Sequence, residues 1–526
     1  MATIPAQSKP PQRRLAVNTA IFAFFTAISR VVGLVREIIA AALFGQGVAA
    51  SAFTIASQIP NLMSNLFAQA ALSAAFVPVF TDLLEQGRKR EAFKLASSLF
   101  WIILLALGVI TVAGIGLAGV ILPLFSGKYF DGDLAGLLTQ IMFPVVLVLG
   151  VTGLLVGVLQ SYDEFSIPAF APVVWNIVII VVMVGLHGEF VHGVEAYAIG
   201  WLLATVVQML LIVWALRRID FRLSFEVDWR DPRIKQVLLL MLPVTVGLGI
   251  VNLDALINSS FGALVNGGAP RAIQNAFLIY MMPQGIFSVA VTTVLFPTLS
   301  RQAARRDVGA MRHSLAGGMR QIIVLLVPAG IAMLLLAEPI IRLLLQHGKY
   351  TASDTAETAL ALRWFAVSLP FSGINLLLTR TFFALQRPWI PTGLAAINMT
   401  VDFFLSFVLY IPLGVAGLVI GTAAANVVML VLQFRRLRAG FGGHLELGHT
   451  LQVTARVTLA AVAMGVIALG SWTILDSVVG RSLIGQVYSL GIAIALAGAF
   501  YGWAVLHLRI PEAEQVESMI RRRLGV

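Results

Sequence analysis

The chain has 526 residues, 59% hydrophobic and only 12% charged, with a net charge of +11 and a mean hydropathy of +0.92. Soluble domains carry about a quarter charged residues, so the composition excludes a soluble globular protein and indicates an all-α polytopic membrane protein. No cysteine is present, which excludes disulfides, thiolate chemistry and cysteine metal sites.

Residues 1–14, with Lys9, Arg13, Arg14 and several prolines, are expected to form a cytosolic tail. They do not resemble a cleavable signal peptide, because the apolar stretch that follows is too long and too polar at its centre. That stretch, from about Leu15 to Phe44, contains SRVVGLVRE (Ser29 to Glu37). An ionisable group near the bilayer centre costs roughly 2.5–3.5 kcal/mol on insertion scales. Arg30, Arg36 and Glu37 must therefore face water or a partner, and a cationic cavity for anionic substrates is the expectation. Arg30 and Glu37 lie seven apart and nearly on one face, while Arg36 is offset by about a third of a turn. Gly33 between them permits close approach by a backbone or ligand. One reading is a phosphate-binding guanidinium pair, since arginine offers forked donors that match phosphate oxygens. The other is an internal ion pair with Glu37 that ties helices together. One carboxylate cannot neutralise two arginines, which favours the first.

Fourteen apolar spans follow in chain order, near 15–42, 50–83, 93–125, 134–160, 167–187, 194–216, 236–265, 272–300, 313–343, 355–385, 390–411, 414–434, 451–475 and 484–507. Sorting Lys and Arg by alternate connections puts 25 on one side and five on the other, with six inside or near spans. The positive-inside rule then places both termini in the cytosol. The net charge thus reports orientation, and no nucleic-acid partner is expected.

The two halves repeat each other. Pro78 in FVPVF and Pro297 in LFPTL are 219 apart, and GKYF at Gly127 and GKYT at Gly348 are 221 apart. Pro168 and Pro391 are separated by 223, and Asn176 and Asn398 by 222. Each half holds six spans, so the copies share one orientation, as in parallel-repeat transporters. The expected layout is an N-lobe over 15–220, a C-lobe over 221–440, two further helices over 441–508, and a cytosolic amphipathic tail over 509–526.

In the second half, Asp254 lies in VNLDALINSS beside Asn252 and Asn258, Asn398 and Asp402 are i, i+4 in NMTVD, and Thr422 lies in the next span. These oxygens suit Na⁺ or a proton. Interhelical hydrogen bonding through a protonated Asp is the equal alternative. Asp163 and Glu164 fit loop capping before Pro168. The histidines have no metal-ligand spacing. Arg363 and Arg380 either snorkel to an interface or line the cavity.

Several segments together resemble the MurJ/MviN family of lipid II flippases, within the multidrug/oligosaccharidyl-lipid/polysaccharide exporter superfamily. They are SRVVGLVRE, IPNLMSNLFAQAALSAAFVPVF (Ile59 to Phe80), FSIPAFAPVVWNI (Phe165 to Ile177), FPTLS (Phe296 to Ser300), HGKYTASD (His347 to Asp354) and RTFFALQRPWIP (Arg380 to Pro391). The resemblance implies fourteen helices in two lobes, a central cationic cavity, and a lipid groove formed by the last two helices. It implies a transporter, not an enzyme, that moves undecaprenyl-diphosphate-linked peptidoglycan precursor to the outer leaflet by alternating access. Arg30, Arg36, Glu37, Ser29, Pro172 and Asn176 match the family's cavity positions. Arg380 is a further candidate contact, and Asp254, Asn398, Asp402 and Thr422 resemble a sodium site.

Departures from the family pattern are Ser51 for an acid, Ser64 and Asn65 for paired arginines, and Phe277 and Leu278 for an acid and arginine of the eighth helix. Either Arg320, Arg363 or Arg380 compensates, or the head group differs. The alternative functions are flipping of another polyprenyl-linked glycan, of O-antigen or capsule type, and cation-coupled export. No cofactor is expected, and no GxxxxGK[ST] loop supports ATP use. The expected partners are lipid II, membrane lipids and cell-wall synthesis proteins, with the chain a monomer.

Overall fold

A computed structural model describes the backbone of residues 12–67, 69–125, 130–219, 221–225, 228–442, 446–508 and 510. Among these residues there are helices and no strands. The first half holds α1 (Gln12–Phe44), α2 (Val48–Phe67), α3 (Gln69–Glu85), α4 (Lys89–Phe125), α5 (Gly132–Met142), α6 (Pro144–Ser161), α7 (Ser166–Leu186) and α8 (Val194–Leu216). The second half continues with α9 (Pro232–Val265), α10 (Ala269–Pro283), a π-helical turn η1 (Gln284–Ser288), α11 (Val289–Ala304), α12 (Val308–Leu335) and α13 (Ala337–Leu345). It ends with α14 (Ala352–Ala384), α15 (Trp389–Leu413), α16 (Val415–Gly440), α17 (Leu447–Val479) and α18 (Leu483–His507). The expected N-terminal tail is helical from Gln12, and the C-terminal tail, apart from Ile510, lies outside the described residues.

Local chemistry explains several boundaries. Asp131 caps α5 and Asp307 caps α12 through their side chains, and Thr351 and Asp354 form a reciprocal capping box on α14. Four expected spans are interrupted. Phe143–Pro144 separates α5 from α6, and the second span divides into α2 and α3. Leu336 divides α12 from α13, and Pro283 begins the π-helical break between α10 and α11. Proline removes a backbone donor and crowds the preceding turn, so a long hydropathy run can hide a break. Pro60 and Pro283 are 223 apart, so the repeat extends to the second helix of each half.

Among the described residues, eleven helices or helix pairs are long and apolar enough to cross a membrane, making this a multi-pass membrane protein. The three other expected spans run through α1, α2–α3 and α9, which include residues whose side chains are outside the described set.

Two compact units emerge. One contains α1, α2 from Ala52, α3 through α8, and α9 as far as Asn252; the other contains Gly45–Ser51 with the first turn of α2, Phe130, and the chain from Leu253 onward. The division between these units falls inside α9. The first unit packs around Phe76, Phe80, Leu95, Leu99, Leu154, Val158 and Ile212. In the second, α17 and α18 meet α12 and α13 through Leu336, Met464, Ala468, Leu490 and Ala497. Small residues allow close helix approach between α12 and α14: a Cβ on Gly330 would fall 2.8 Å from the Ala366 carbonyl oxygen.

Candidate functional site

In the first unit, α1 packs against α7, and α7 against α8. These contacts bring residues about 140–160 apart in sequence onto the SRVVGLVRE segment. Arg36 donates from Nη2 to Glu37 Oε1 at 2.6 Å, from Nε to the same oxygen at 3.2 Å, and from Nη1 to Asn176 Oδ1 at 2.9 Å. Its guanidinium lies 5.1 Å from the Trp175 ring centre and 5.8 Å from that of Trp201. The Tyr197 hydroxyl donates to Glu37 Oε1 at 2.9 Å, and the Tyr197 ring stacks on Phe53 at 4.1 Å. Arg36 and Glu37 side chains are 11% and 9% exposed, so this is a largely desolvated ion pair with aromatic walls.

Asn176 spends its amide group on α1 and its own helix. Nδ2 donates to the Pro172 carbonyl at 2.9 Å and approaches the Ser29 carbonyl and hydroxyl at 3.4 Å. A Cβ on Gly33 would lie 3.6 Å from Asn176 Oδ1, an ordinary van der Waals contact, so Gly33 packs directly beside this amide. Ser29, Gly33, Arg36, Glu37, Pro172 and Asn176 thus form one assembly. Arg30 is different. It is exposed, and among the described residues it has no hydrogen-bond or ion-pair partner. The structure separates two arginines that look alike in sequence: one is tied, one is open.

The second unit gathers oxygens around Asp402, which is 2% exposed. Asp402 accepts from Asn258 Nδ2 at 2.8 Å, from Ser406 Oγ at 3.2 Å and from Thr422 Oγ1 at 3.3 Å. Asp254 is its electrostatic neighbour. Two carboxylates so placed disfavour carrying two negative charges at once. Asn258 Oδ1 and Asn398 Oδ1 are buried without partners among the described residues. A Cβ at Gly421 would fall 3.0 Å from Asp402 Oδ1 and 2.7 Å from Ser406 Oγ, so this position must stay bare. All these donors are oxygen, the set that hard cations take. The side chain of Asn252 lies outside the described residues.

The remaining basic candidates diverge. Arg320 is buried and donates to Glu446 Oε2 at 2.9 Å, while His313 lies 3.0 Å from the other carboxylate oxygen. It is not an open cavity cation. Arg380 is exposed, with its guanidinium 6.0 Å from the Phe296 ring centre, and Arg363 is exposed on α14. Sequence reasoning missed Trp175, Trp201, Tyr197 and Ser406. The Tyr197 and Trp201 spacing of four, and the place of Trp175 beside Asn176, were the available signals.

Outside the spans, two carboxyls sit below their ordinary range. Arg233 donates to Asp231 and lowers it, while the partial burial opposes this less strongly. Burial would raise Glu446, but hydrogen bonds from Arg320 and His313 outweigh it. A depressed folded value means stabilisation that is present above the unfolded pKa and lost as pH falls through the folded one. The melting temperature should hold from neutrality to about pH 5 and fall below about pH 4. Asp231→Asn should lower the plateau and flatten that fall in a thermal scan; an unchanged acid limb in this variant would contradict the assignment.

The family model described as "Lipid II flippase MurJ" matches residues 40–510. A relative from Burkholderia cenocepacia named "Lipid II flippase MurJ" is 31% identical over 425 residues, covering 79% of this chain and 82% of its own length. A "Probable lipid II flippase MurJ" from Bdellovibrio bacteriovorus is 29% identical over 522 residues and 98% of both chains. Among solved structures, "Lipid II flippase MurJ, inward closed conformation" superposes with a TM-score of 0.78 at 21% identity, covering 93% of this chain and all of that one. An inward-facing multidrug resistance MATE family transporter gives 0.69 at 15% identity, over 80% and 98% of the two chains. These two structural likenesses concern the fold alone.

Proposed function

Because the chain belongs to the lipid II flippase MurJ family, we propose that it carries lipid II from the inner to the outer leaflet of the bacterial inner membrane by alternating access, for cell-wall biogenesis. The observation that carries this reading is Arg30: an open guanidinium in the first membrane helix, next to an assembly that fixes the helix around it. The forked donors of Arg30 take the diphosphate. Arg36 is already neutralised by Glu37 and holds α1 against α7 through Asn176, which sets where Arg30 points. The polyprenyl tail stays in hydrocarbon, since withdrawing it costs about 0.8 kcal/mol per methylene.

The cycle requires an energy source. A membrane potential supplies about 2.3 kcal/mol per charge per 100 mV. Asp254, Asn258, Asn398, Asp402 and Thr422 would hold a Na⁺ ion or proton, whose charge would offset one of the two carboxylates. The 25-to-five distribution of basic residues supports cytoplasmic termini. The apolar Leu278 on α10 supports a second reading, flipping of a related polyprenyl-diphosphate glycan. Depletion of a host's own flippase, followed by expression of this chain, separates them. Lipid II should become accessible to an externally added degrading enzyme; survival without that accessibility would reject this assignment.

A further inference from the structure

The connection between α8 and α9 lies as a strap on the first half of α4. Phe221 meets Phe93 edge-on at 5.1 Å, and Phe225 stacks on Trp101 at 5.2 Å. The chain then returns: Asp228 pairs with Lys94 at 3.4 Å, and Arg233 pairs with Glu91 at 2.9 Å. From Phe93 to Trp101 is eight helical residues, so the strap's apex reaches about 12 Å along α4 towards the apolar part of that span.

Its backbone is satisfied by α4 side chains. Ser224 N–H donates to Ser97 Oγ at 2.9 Å, Trp101 Nε1 donates to the Ser224 carbonyl at 3.0 Å, and Asp228 N–H donates to Ser98 Oγ at 3.0 Å. Both serines are fully buried. Irregular backbone in contact with hydrocarbon must have its polar groups answered from within the protein. The outward face is apolar at its apex: Phe225 is 86% exposed and Trp229 60%, with Leu223 also exposed. Around it, Arg90, Arg217, Arg222, Arg230 and Lys235 are exposed with no ion-pair partner among the described residues. Across 88–94 and 217–235 there are ten basic and five acidic residues. Three of those acids, Glu91, Asp228 and Asp231, are already paired within the strap and α4.

We infer that this strap is a membrane-inserting element, with Phe225 and Trp229 in the boundary between headgroups and acyl chains and Arg222, Arg230 and their basic neighbours on the phosphates of an anionic phospholipid leaflet. Aromatic rings prefer that boundary, and clustered basic side chains prefer anionic leaflets. The inference does not depend on which lipid-linked substrate is carried.

The chain has no cysteine, so a single label reports one site. Full-length Phe225→Cys carrying an environment-sensitive NBD dye, in nanodiscs of phosphatidylcholine with and without phosphatidylglycerol, should give blue-shifted emission. That emission should be quenched by shallow doxyl lipids and little by aqueous iodide, while Gln86→Cys behaves as a water-exposed control. Phosphatidylglycerol should raise the melting temperature of the wild type, and Arg222→Glu/Arg230→Glu should lose at least half of that rise. Iodide-accessible, unshifted emission at Phe225→Cys in both lipid mixtures would overturn insertion and leave the face to an aqueous partner. An equal phosphatidylglycerol effect in the double variant, folded as judged by its retained melting transition, would overturn the headgroup contacts.

Discussion

Glu37→Ala should destabilise the folded protein by about 3–5 kcal/mol, the cost typical of removing one partner from a buried ion pair. Arg36 would lose two of its three hydrogen bonds, and Tyr197 would lose this acceptor. Trp175 and Trp201 offset only part of the loss, since a cation–π contact contributes about 0.5–2 kcal/mol and neutralises no charge. Replacing both charges with neutral groups of similar shape, as in Glu37→Gln/Arg36→Met, should be milder than Glu37→Ala alone. Fluorescence-detected size exclusion after a heating series in detergent measures both. A Glu37→Ala protein that melts with the wild type would show the pair to be solvated.

The second large effect concerns Asp402. If a cation is held among Asp254, Asn258, Asn398, Asp402 and Thr422, the wild type should gain stability as Na⁺ replaces choline at constant ionic strength. A ligand at about a hundred times its Kd adds about 2.7 kcal/mol. Asp402→Asn keeps the size of the side chain and removes a charge, so the gain should vanish. If the bound charge is a proton, the wild type instead shows a pH-dependent melting temperature near neutrality, and the same substitution removes it. Equal responses of wild type and Asp402→Asn to both titrations would leave the carboxylate pair as an interhelical hydrogen bond only.

Class and helical layout were legible because hydropathy acts over whole spans and basic loops sort by side. The breaks at Phe143–Pro144 and Leu336 were not, because the apolar run continues through them and only backbone hydrogen bonding is interrupted. Asn258 was legible as a polar residue in an apolar helix near Asp254. Its bond to Asp402 joins residues 144 apart, which no local pattern encodes. The same limit applies to Arg30 and Arg36. Sequence showed two guanidiniums and one acid, hence an unneutralised charge. Which arginine holds the acid depends on Asn176 and Tyr197, brought in by α7 and α8. The strap of residues 221–225 and 228–231 read only as a basic connection, since its meaning lies in Ser97, Ser98 and Trp101 more than a hundred residues earlier.

The division of labour between the two arginines is tested most directly by lipid II binding to purified full-length protein in nanodiscs. Charge-assisted hydrogen bonds contribute about 1.5–3 kcal/mol, so Arg30→Ala should weaken binding roughly 10- to 100-fold at an unchanged melting temperature. Arg30→Lys should recover part of the affinity, because the charge remains and the fork is lost. An Arg30→Ala protein that melts normally and binds lipid II as tightly as the wild type would contradict the account.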